Sequence, residues 1–333
     1  MDAAPHVVVV GSVMTDMTVS LDRVPAAGET LVGRSFLLGF GGKGANQATM
    51  AALLGARVSM VACVGSDAFG AEALENLRSL GIDTSGVRVL DGAATGVAPI
   101  WVDARGENRI VIVPGANSLM SVEQVEEALE ALPAPDVLIC QLEIPLACVR
   151  RALELGQERR AVTILNPAPF DDEARHLLHL ATWVTPNEIE FEALSAVLPA
   201  VASGPAPTLE DRLACASEVL GCSLLVTHGE HGALLCSNGR GDVRHLPAPP
   251  AAVIDTSGAG DALVGAFATG LARGEDDQGA AEMAVRCASM TVEACGTQAS
   301  FAQAAQRFSE FGSQRRVAAE GAGVDVDRAG SGA

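Results

Sequence analysis

Residues 255–270 read DTSGAGDALVGAFATG: a strand-like approach ends at Asp255, a run of small residues follows, and an apolar helical pattern begins at or just before Asp261. Small residues at a helix N-terminus let successive N–H groups converge on an anion, and the helix dipole adds attraction. Asp261 would project from that first turn into the same pocket. A plain turn with Asp261 as an N-terminal cap fits the same letters. A dinucleotide fingerprint does not, because GxGxxG needs glycine where Leu263 stands and should follow a first strand.

A second glycine-rich stretch, GFGGKGANQ (39–47), holds Lys43, the only lysine among 22 basic residues. A composition that disfavours lysine would leave a stray survivor anywhere. The flanking glycines favour a local reason: they let backbone and ligand approach closely, where a compact ammonium fits and a planar guanidinium does not. The stretch is not a Walker loop, since no Ser or Thr follows the lysine.

Composition narrows the function classes. Hydrophobic residues make up 49% of the 333, enough for a sizeable core, but aromatics are 3% and tyrosine is absent, so that core must be aliphatic. Few aromatics and a net charge of −19 argue against a nucleic-acid surface, which needs a basic patch and often stacking platforms. The same charge repels nucleotides, so any phosphate site must be local, built from backbone N–H groups, one or two cations and a metal ion. The eight cysteines form no CxxC pair and mostly sit in apolar runs, as small buried hydrophobes do in a reducing cytosol. A strand-like run starts at His6, leaving no room for a secretory signal, and no stretch approaches a membrane helix. The expectation is a soluble, cytoplasmic protein without nucleic-acid or membrane partners.

Along the chain, HVVVVGSV (6–13) suits a buried parallel strand. Four short stretches, at 17–21, 30–39, 95–103 and 108–114, read as a small separate sheet. Helices fit 44–56 and 67–81, with a strand at 57–65 between them. From 121 onward strands at 136–141, 161–166, 182–186 and 222–229 alternate with helices, the pattern of a mainly parallel sheet covered on both faces. Residues 312–333 are small, polar and aperiodic, the composition of a disordered tail.

Read together, GSVMTD (11–16), PAAGET (25–30), GFGGKGANQA (39–48), ATGVA (94–98), GAN (115–117), QLEIP (141–145), NPAP (166–169), PNEIE (186–190), VTHGEHGA (226–233), DTSGAGD (255–261) and CGTQAS (295–300) resemble the PfkB family of carbohydrate kinases. Within it they are most similar to the ribokinases, above all the animal type. The matching pieces span about residues 6–300 in order. The resemblance implies a ribokinase-like three-layer αβα sandwich over residues 1–311, with a small β-sheet lid from about 14–39 and 95–114. It also implies transfer of a phosphoryl group from ATP to O5 of D-ribose.

Under that resemblance Asp261 is the base, and the N–H groups of Gly258, Ala259 and Gly260 form an anion hole for the transferred phosphoryl. Met14, Asp16, Gly42, Lys43, Gly44, Asn46 and Glu143 fall at sugar-binding positions. Lys43 then donates to a substrate hydroxyl rather than clamping phosphate. Asn187, Thr227, His228, Gly229, Glu230, His231, Gly232 and Gly260 fall at nucleotide-binding positions. Glu190 of the NxxE element would reach Mg²⁺ through water, although Asn187 and Glu190 also spell an ordinary capping box. Asp255, Ser257, Thr291, Ala294, Gly296 and Ser300 fall where ribokinases bind K⁺, several through backbone carbonyls.

One position departs from the bacterial pattern. Met14 stands where bacterial ribokinases usually carry Asn, and a thioether hydrogen-bonds sugar hydroxyls poorly. Another sugar or a nucleoside therefore stays open as substrate, as does a non-catalytic sugar sensor, although an intact GAGD with Asp261 favours an enzyme. As in ribokinases, two lids packed face to face would form a homodimer. Apolar residues at Val19, Leu31, Phe36, Ile100, Ile110 and Ile112 exceed what a lone solvated sheet exposes.

Overall fold

The computed structural model describes residues 4–198, 201, 208–238 and 241–321, the side chains of 310–321 excepted. Its first strand, β1 (His6–Val10), is buried throughout. Val7 and Val9 enter one hydrophobic core while Val8 and Val10 enter another. An unbroken valine run is what such a strand requires, since successive side chains point to opposite faces and both faces are covered.

Two sheets share the chain. The lid comprises β2 (Met14–Ser20), β3 (Ser35–Gly41), β6 (Gly96–Val102) and β7 (Asn108–Ile110), in the order β3-β2-β6-β7. The main sheet adds β4 (Arg57–Gly65), β5 (Asp83–Leu90), β8 (Val137–Cys140), β9 (Val162–Leu165), β10 (Trp183–Val184), β11 (Ser223–Thr227), β12 (Ala233–Cys236) and β13 (Val243–Leu246) to β1. Its order is β13-β12-β11-β10-β9-β8-β1-β4-β5. It is parallel except where β12 and β13 return antiparallel at one edge.

Helices cover both faces. The core holding Val7 and Val9 is closed by α1 (Lys43–Leu53), α2 (Ala68–Ser79), α7 (Ala259–Ala272), α8 (Asp277–Thr291) and α9 (Thr297–Gly321). The core holding Val8 and Val10 is closed by α3 (Val122–Ala131), α4 (Leu146–Glu158), α5 (Glu188–Ala196) and α6 (Leu209–Leu220). The three-layer αβα architecture and separate lid expected from the sequence are both present. The strands β5, β12 and β13 were not expected: their side chains are partly polar or their runs short, so neither period stands out.

One boundary moves. The sequence places a disordered tail from 312, but α9 continues to Gly321. The intervening Gln314, Arg315, Arg316, Ala318 and Ala319 are all good helix formers. The rest of that tail, 322–333, lies outside the described residues.

Candidate active site

The parallel strands β1, β8, β9, β10 and β11 deliver their carboxyl ends to one edge of the sheet, the edge where open α/β sheets bind ligands. Ser12, Gln141, Glu143, Asn166 and Asn187 all follow closely on those ends. The glycine-rich loop before α7, the expected anion loop, reaches the same edge, where Gln47 bonds both Asp261 and Asn166. Gly258 is the N-cap of α7 at φ 76°, and no side chain caps the helix. A Cβ there would stand 2.4 Å from Cγ2 of Thr297, so glycine alone supplies both the turn and the space. At Gly260 a Cβ would meet nothing within 4 Å. The room above the first helical turn is open, and its N–H groups lack the side-chain cap that commonly satisfies them.

Asp261 is therefore not the cap that its sequence also allowed. It lies in the first turn of α7, is 7% exposed, and receives two amides from α1. Nδ2 of Asn46 donates to Oδ2 at 2.9 Å, and Nε2 of Gln47 donates to Oδ1 at 3.0 Å. The helix supplying them begins at Gly42, whose φ is 86°. A Cβ on Gly42 would stand 2.8 Å from the backbone nitrogen of Met14, so this glycine lets α1 abut the start of the lid.

Around Asp261 the charges alternate. Glu143 accepts from the Ser12 hydroxyl at 2.5 Å and from the Lys43 backbone N–H at 2.9 Å. Burial pushes the Glu143 carboxyl above its ordinary range, against the pull of nearby Lys43. Burial would lower the Lys43 ammonium, but Asp261, Glu143 and Glu190 outweigh it and hold the pKa above the usual lysine value. Asp16, on β2, is raised to about 6, first by burial and then by Glu143 and Asp261, against a hydrogen bond from Thr297. That bond, from Oγ1 to Oδ2, measures 3.4 Å. Asp16, Lys43, Asn46, Glu143 and Asp261 thus form one polar cluster at the foot of the lid. Met14 differs from them: it is 1% exposed, and a Cβ on Gly96 would lie 3.1 Å from its Cγ.

Farther along the edge, Asn187 caps α5 in a capping box with Glu190, each backbone N–H donating to the other's side chain at 2.8 Å. The plain reading of NEIE as a helix start is thus visible in the structure. Burial raises the Glu190 carboxyl, and both Lys43 and Asp261 are close enough to act on it. A backbone bridge joins Asn187 to Thr227. The loop Gly229–His231 follows, flanked by His228, whose ring stacks obliquely on His231 and whose Nε2 is 3.3 Å from Glu188. Glu230 in that loop is exposed, and Gly232 closes it at φ 97°. A cavity of about 480 Å³ lies beside this loop, lined in part by His245, Leu246, Pro247 and Val285. His245 hydrogen-bonds the His231 carbonyl at 2.7 Å.

The third group surrounds Asp255. Its oxygens accept N–H bonds of 2.9 Å each from Ser257 and Gly296 and so tie the anion loop to the segment before α9. Burial would raise this carboxyl, but those bonds outweigh it and leave the pKa low. In the same segment the Thr291 and Ser300 hydroxyls donate to the Ala288 and Thr297 carbonyls, and the Ala294 N–H donates to the Thr291 carbonyl.

The structure adds residues to which the sequence alone assigns no role. Ser12, Gln47, Gln141, Asn166 and Gln298 all lie within the motifs that carry the family resemblance, yet only their partners show what they do. The available signal was a polar residue directly following an apolar strand or sitting inside an apolar helix, both costly to bury without a partner.

A mainly parallel sheet with helices on both faces and a separate small sheet frames a glycine-rich helix start beside a buried carboxylate. The chain belongs to the PfkB family of carbohydrate kinases, which matches it over residues 4–304 under the description pfkB family carbohydrate kinase. It is 39% identical over 305 residues to the ribokinase of Mus musculus, covering 90% of this chain and 93% of that one. It is 37% identical over 309 residues to the deoxyribokinase of Salmonella typhi, covering 92% and 98%. Among solved structures it is similar to the Arabidopsis thaliana ribokinase complexed with ribose and ATP, with 28% identity, a TM-score of 0.78, and 92% and 99% of the two chains covered.

Proposed function

We propose that this protein transfers the γ-phosphoryl group of ATP to O5 of D-ribose, giving ribose 5-phosphate. One observation carries the reading: Asp261 is buried directly beneath an uncapped helix N-terminus, with both carboxylate oxygens fixed by amide donors. A hydroxyl between Asp261 and the loop would lose its proton to the carboxylate as its oxygen attacks the γ-phosphorus and the bond from that phosphorus to the β,γ-bridging oxygen breaks, releasing ADP. The N–H groups of Gly258, Ala259 and Gly260 would receive the charge on the transferred phosphoryl. The phosphoryl-transfer transition state is loose, so orientation by the base matters more than its strength.

Asp16, Lys43, Asn46 and Glu143 bracket the sugar hydroxyls, with the backbone of Gly42 and Gly44 bringing α1 close to it. Asn187, Thr227 and the 228–232 loop bind the nucleotide, and the adjacent cavity gives room for its base. Mg²⁺ supplies charge neutralisation on the phosphates. Held on the phosphates, that ion would be reached by Glu190 through water, as a cation that keeps several waters commonly is. A monovalent cation, K⁺, would bind beside Asp255, whose carboxyl is held low by N–H bonds from Gly296 and Ser257. We place the protein in the cytoplasm as a homodimer joined through its lids. Among the described residues no helix is long and apolar enough to cross a membrane.

A second reading is favoured by one residue and one relative. Met14 offers no donor to a sugar hydroxyl, and a deoxyribokinase is 37% identical. A site that makes no bond to a hydroxyl loses little when that hydroxyl is missing, so 2-deoxyribose is the rival substrate. Assay of ATP consumption with ribose, 2-deoxyribose, other pentoses and nucleosides, in Mg²⁺ and K⁺, decides between them. Ribose should give the highest kcat/KM. Preference for 2-deoxyribose would move the substrate, and turnover of nucleosides alone would overturn the sugar assignment.

Asp261→Asn should lower kcat by roughly 10²–10⁴ while sugar affinity changes little. Undiminished turnover in that variant would remove Asp261 from the chemistry.

A further inference from the structure

Three buried amides lie in line behind Asp261, although an apolar core would be cheaper to build there. Nε2 of Gln141 donates to Oε1 of Gln47 at 2.7 Å. Nε2 of Gln47 then donates both to Asp261, at 3.0 Å, and to Oδ1 of Asn166, at 3.1 Å. Nδ2 of Asn166 passes on to the Thr185 carbonyl at 2.7 Å. Gln47 and Gln141 are both fully buried. A second arm arrives at the other carboxylate oxygen. Nδ2 of Asn76, on α2, donates to Oε1 of Gln298 at 2.9 Å, and Nε2 of Gln298 donates to Oδ1 of Asn46 at 3.1 Å. Asn46 completes that arm with its bond to Oδ2.

The direction of every amide is determined. An ionised carboxylate only accepts, so Gln47 and Asn46 must present N–H to Asp261 and turn their carbonyls away. Those carbonyls need donors, which Gln141 and Gln298 supply. Reversing Gln47 would set its carbonyl against the carboxylate and its NH₂ against the NH₂ of Gln141. Hydrogen bonds aligned this way polarise one another.

We propose that Gln47 is a positioning residue for phosphoryl transfer. Its amide, oriented by Gln141 and Asn166, fixes the rotamer of Asp261, while the Asn76–Gln298–Asn46 arm fixes the opposite oxygen. The proposal rests on reading Asp261 as the base. Its two arms come from the strand ends and from α2 and α9, so the carboxylate is clamped by both halves of the molecule before any substrate arrives.

The test compares Gln47→Met, Gln47→Glu and Gln298→Met, each alone and combined with Asp261→Asn. Gln47→Met keeps the volume but cannot donate, and should lower kcat about ten- to a hundredfold. Sugar affinity by calorimetry and KM for ATP should stay within about twofold. Gln47→Glu replaces the donor with a second acceptor and should lose more than Gln47→Met. In the Asp261→Asn background neither change should matter further, because the route to the reaction has been cut. Gln298 is only partly buried, so Gln298→Met decides the matter if the Gln47 variants fail to fold, with the same dependence on Asp261.

Wild-type kcat in a folded Gln47→Met enzyme, beside a crippled Asp261→Asn enzyme, overturns the positioning role alone. Equal losses with and without Asp261 overturn it too. An Asp261→Asn enzyme at wild-type rate instead removes the base, and the reading beneath the proposal falls with it.

Discussion

The backbone N–H of Lys43 donates to Oε2 of Glu143 at 2.9 Å across 100 residues of sequence. The first turn of α1 therefore carries the Glu143 carboxylate on its backbone. The ammonium of the same residue sits in the field of Asp261, Glu143 and Glu190. This gives the sole lysine a specific place among three carboxylates, where a compact charge suits a crowded glycine-rich turn.

Lys43→Arg preserves the charge but adds a rigid planar fork. KM for the sugar should rise about tenfold or more, while KM for ATP changes less than about twofold, on the scale of losing one charge-assisted hydrogen bond. Steady-state kinetics with each substrate varied in turn checks this. A fall in ATP affinity with sugar KM intact would make Lys43 a phosphate ligand.

Asp16 makes the pH prediction. Its folded pKa of about 6 lies above the ordinary 3.8, chiefly through burial. A carboxyl with a raised folded pKa favours the folded state below its unfolded pKa, and that contribution disappears as pH rises from about 3.8 to about 6. The change amounts to roughly 2–3 kcal/mol. Asp16→Asn should therefore raise the melting temperature at about pH 8 and have little effect near pH 4. Sugar binding should weaken as wild type is acidified through about pH 6, because the acceptor carboxylate is lost. The same melting shift at both pH values would exclude Asp16 as the source.

For the cation, activity should rise with K⁺ more than with Na⁺, and Asp255→Ala should lose the response. Asp255 links the loop before α7 to Gly296, so an ion bound beside it would order the N–H groups proposed to receive phosphoryl charge. Initial rates across a titration of each chloride salt are the measurement. Identical sodium and potassium curves would remove the site.

The lid supplies the assembly prediction. Phe36 is 61% exposed, Leu37 60%, Ile110 52% and Ile112 40%, an apolar display that a lone four-stranded sheet does not stabilise in water. Sedimentation should give twice the 34.0 kDa chain mass, and Phe36→Lys should shift the protein toward monomer with weaker sugar binding. Full activity from a monomeric wild type would leave the lid to close by itself.

Much of the fold was legible because burial on two faces writes itself into composition. The run Val7–Val10 can only be a strand covered on both sides, and GAGD can only be small residues at a helix start. What stayed hidden were elements with mixed exposure, and the four-residue, fully buried β12. The strand β5 alternates irregularly between buried and open positions, and β13 is mostly open. Their pairing partners, rather than their own letters, make them strands. The site shows the same split: Asp261 and Lys43 stood out through charge and glycine neighbours and Glu143 through the family motif that holds it, whereas Gln47, Gln141 and Gln298 have neutral amides that gain meaning only from what they face.

By itself the sequence determined the layer architecture and the separate small sheet, because both depend on local periodicity, turn residues and burial, while the residues expected in the site came from the order of the family motifs. Tertiary structure decided which oxygen of Asp261 meets which amide, and that Glu143 rests on the Lys43 backbone. It also decided that Asp255 joins two loops 41 residues apart. Hydrogen bonds are directional and short, so partners remote in sequence can be matched only after the strands and helices have fixed their positions in space.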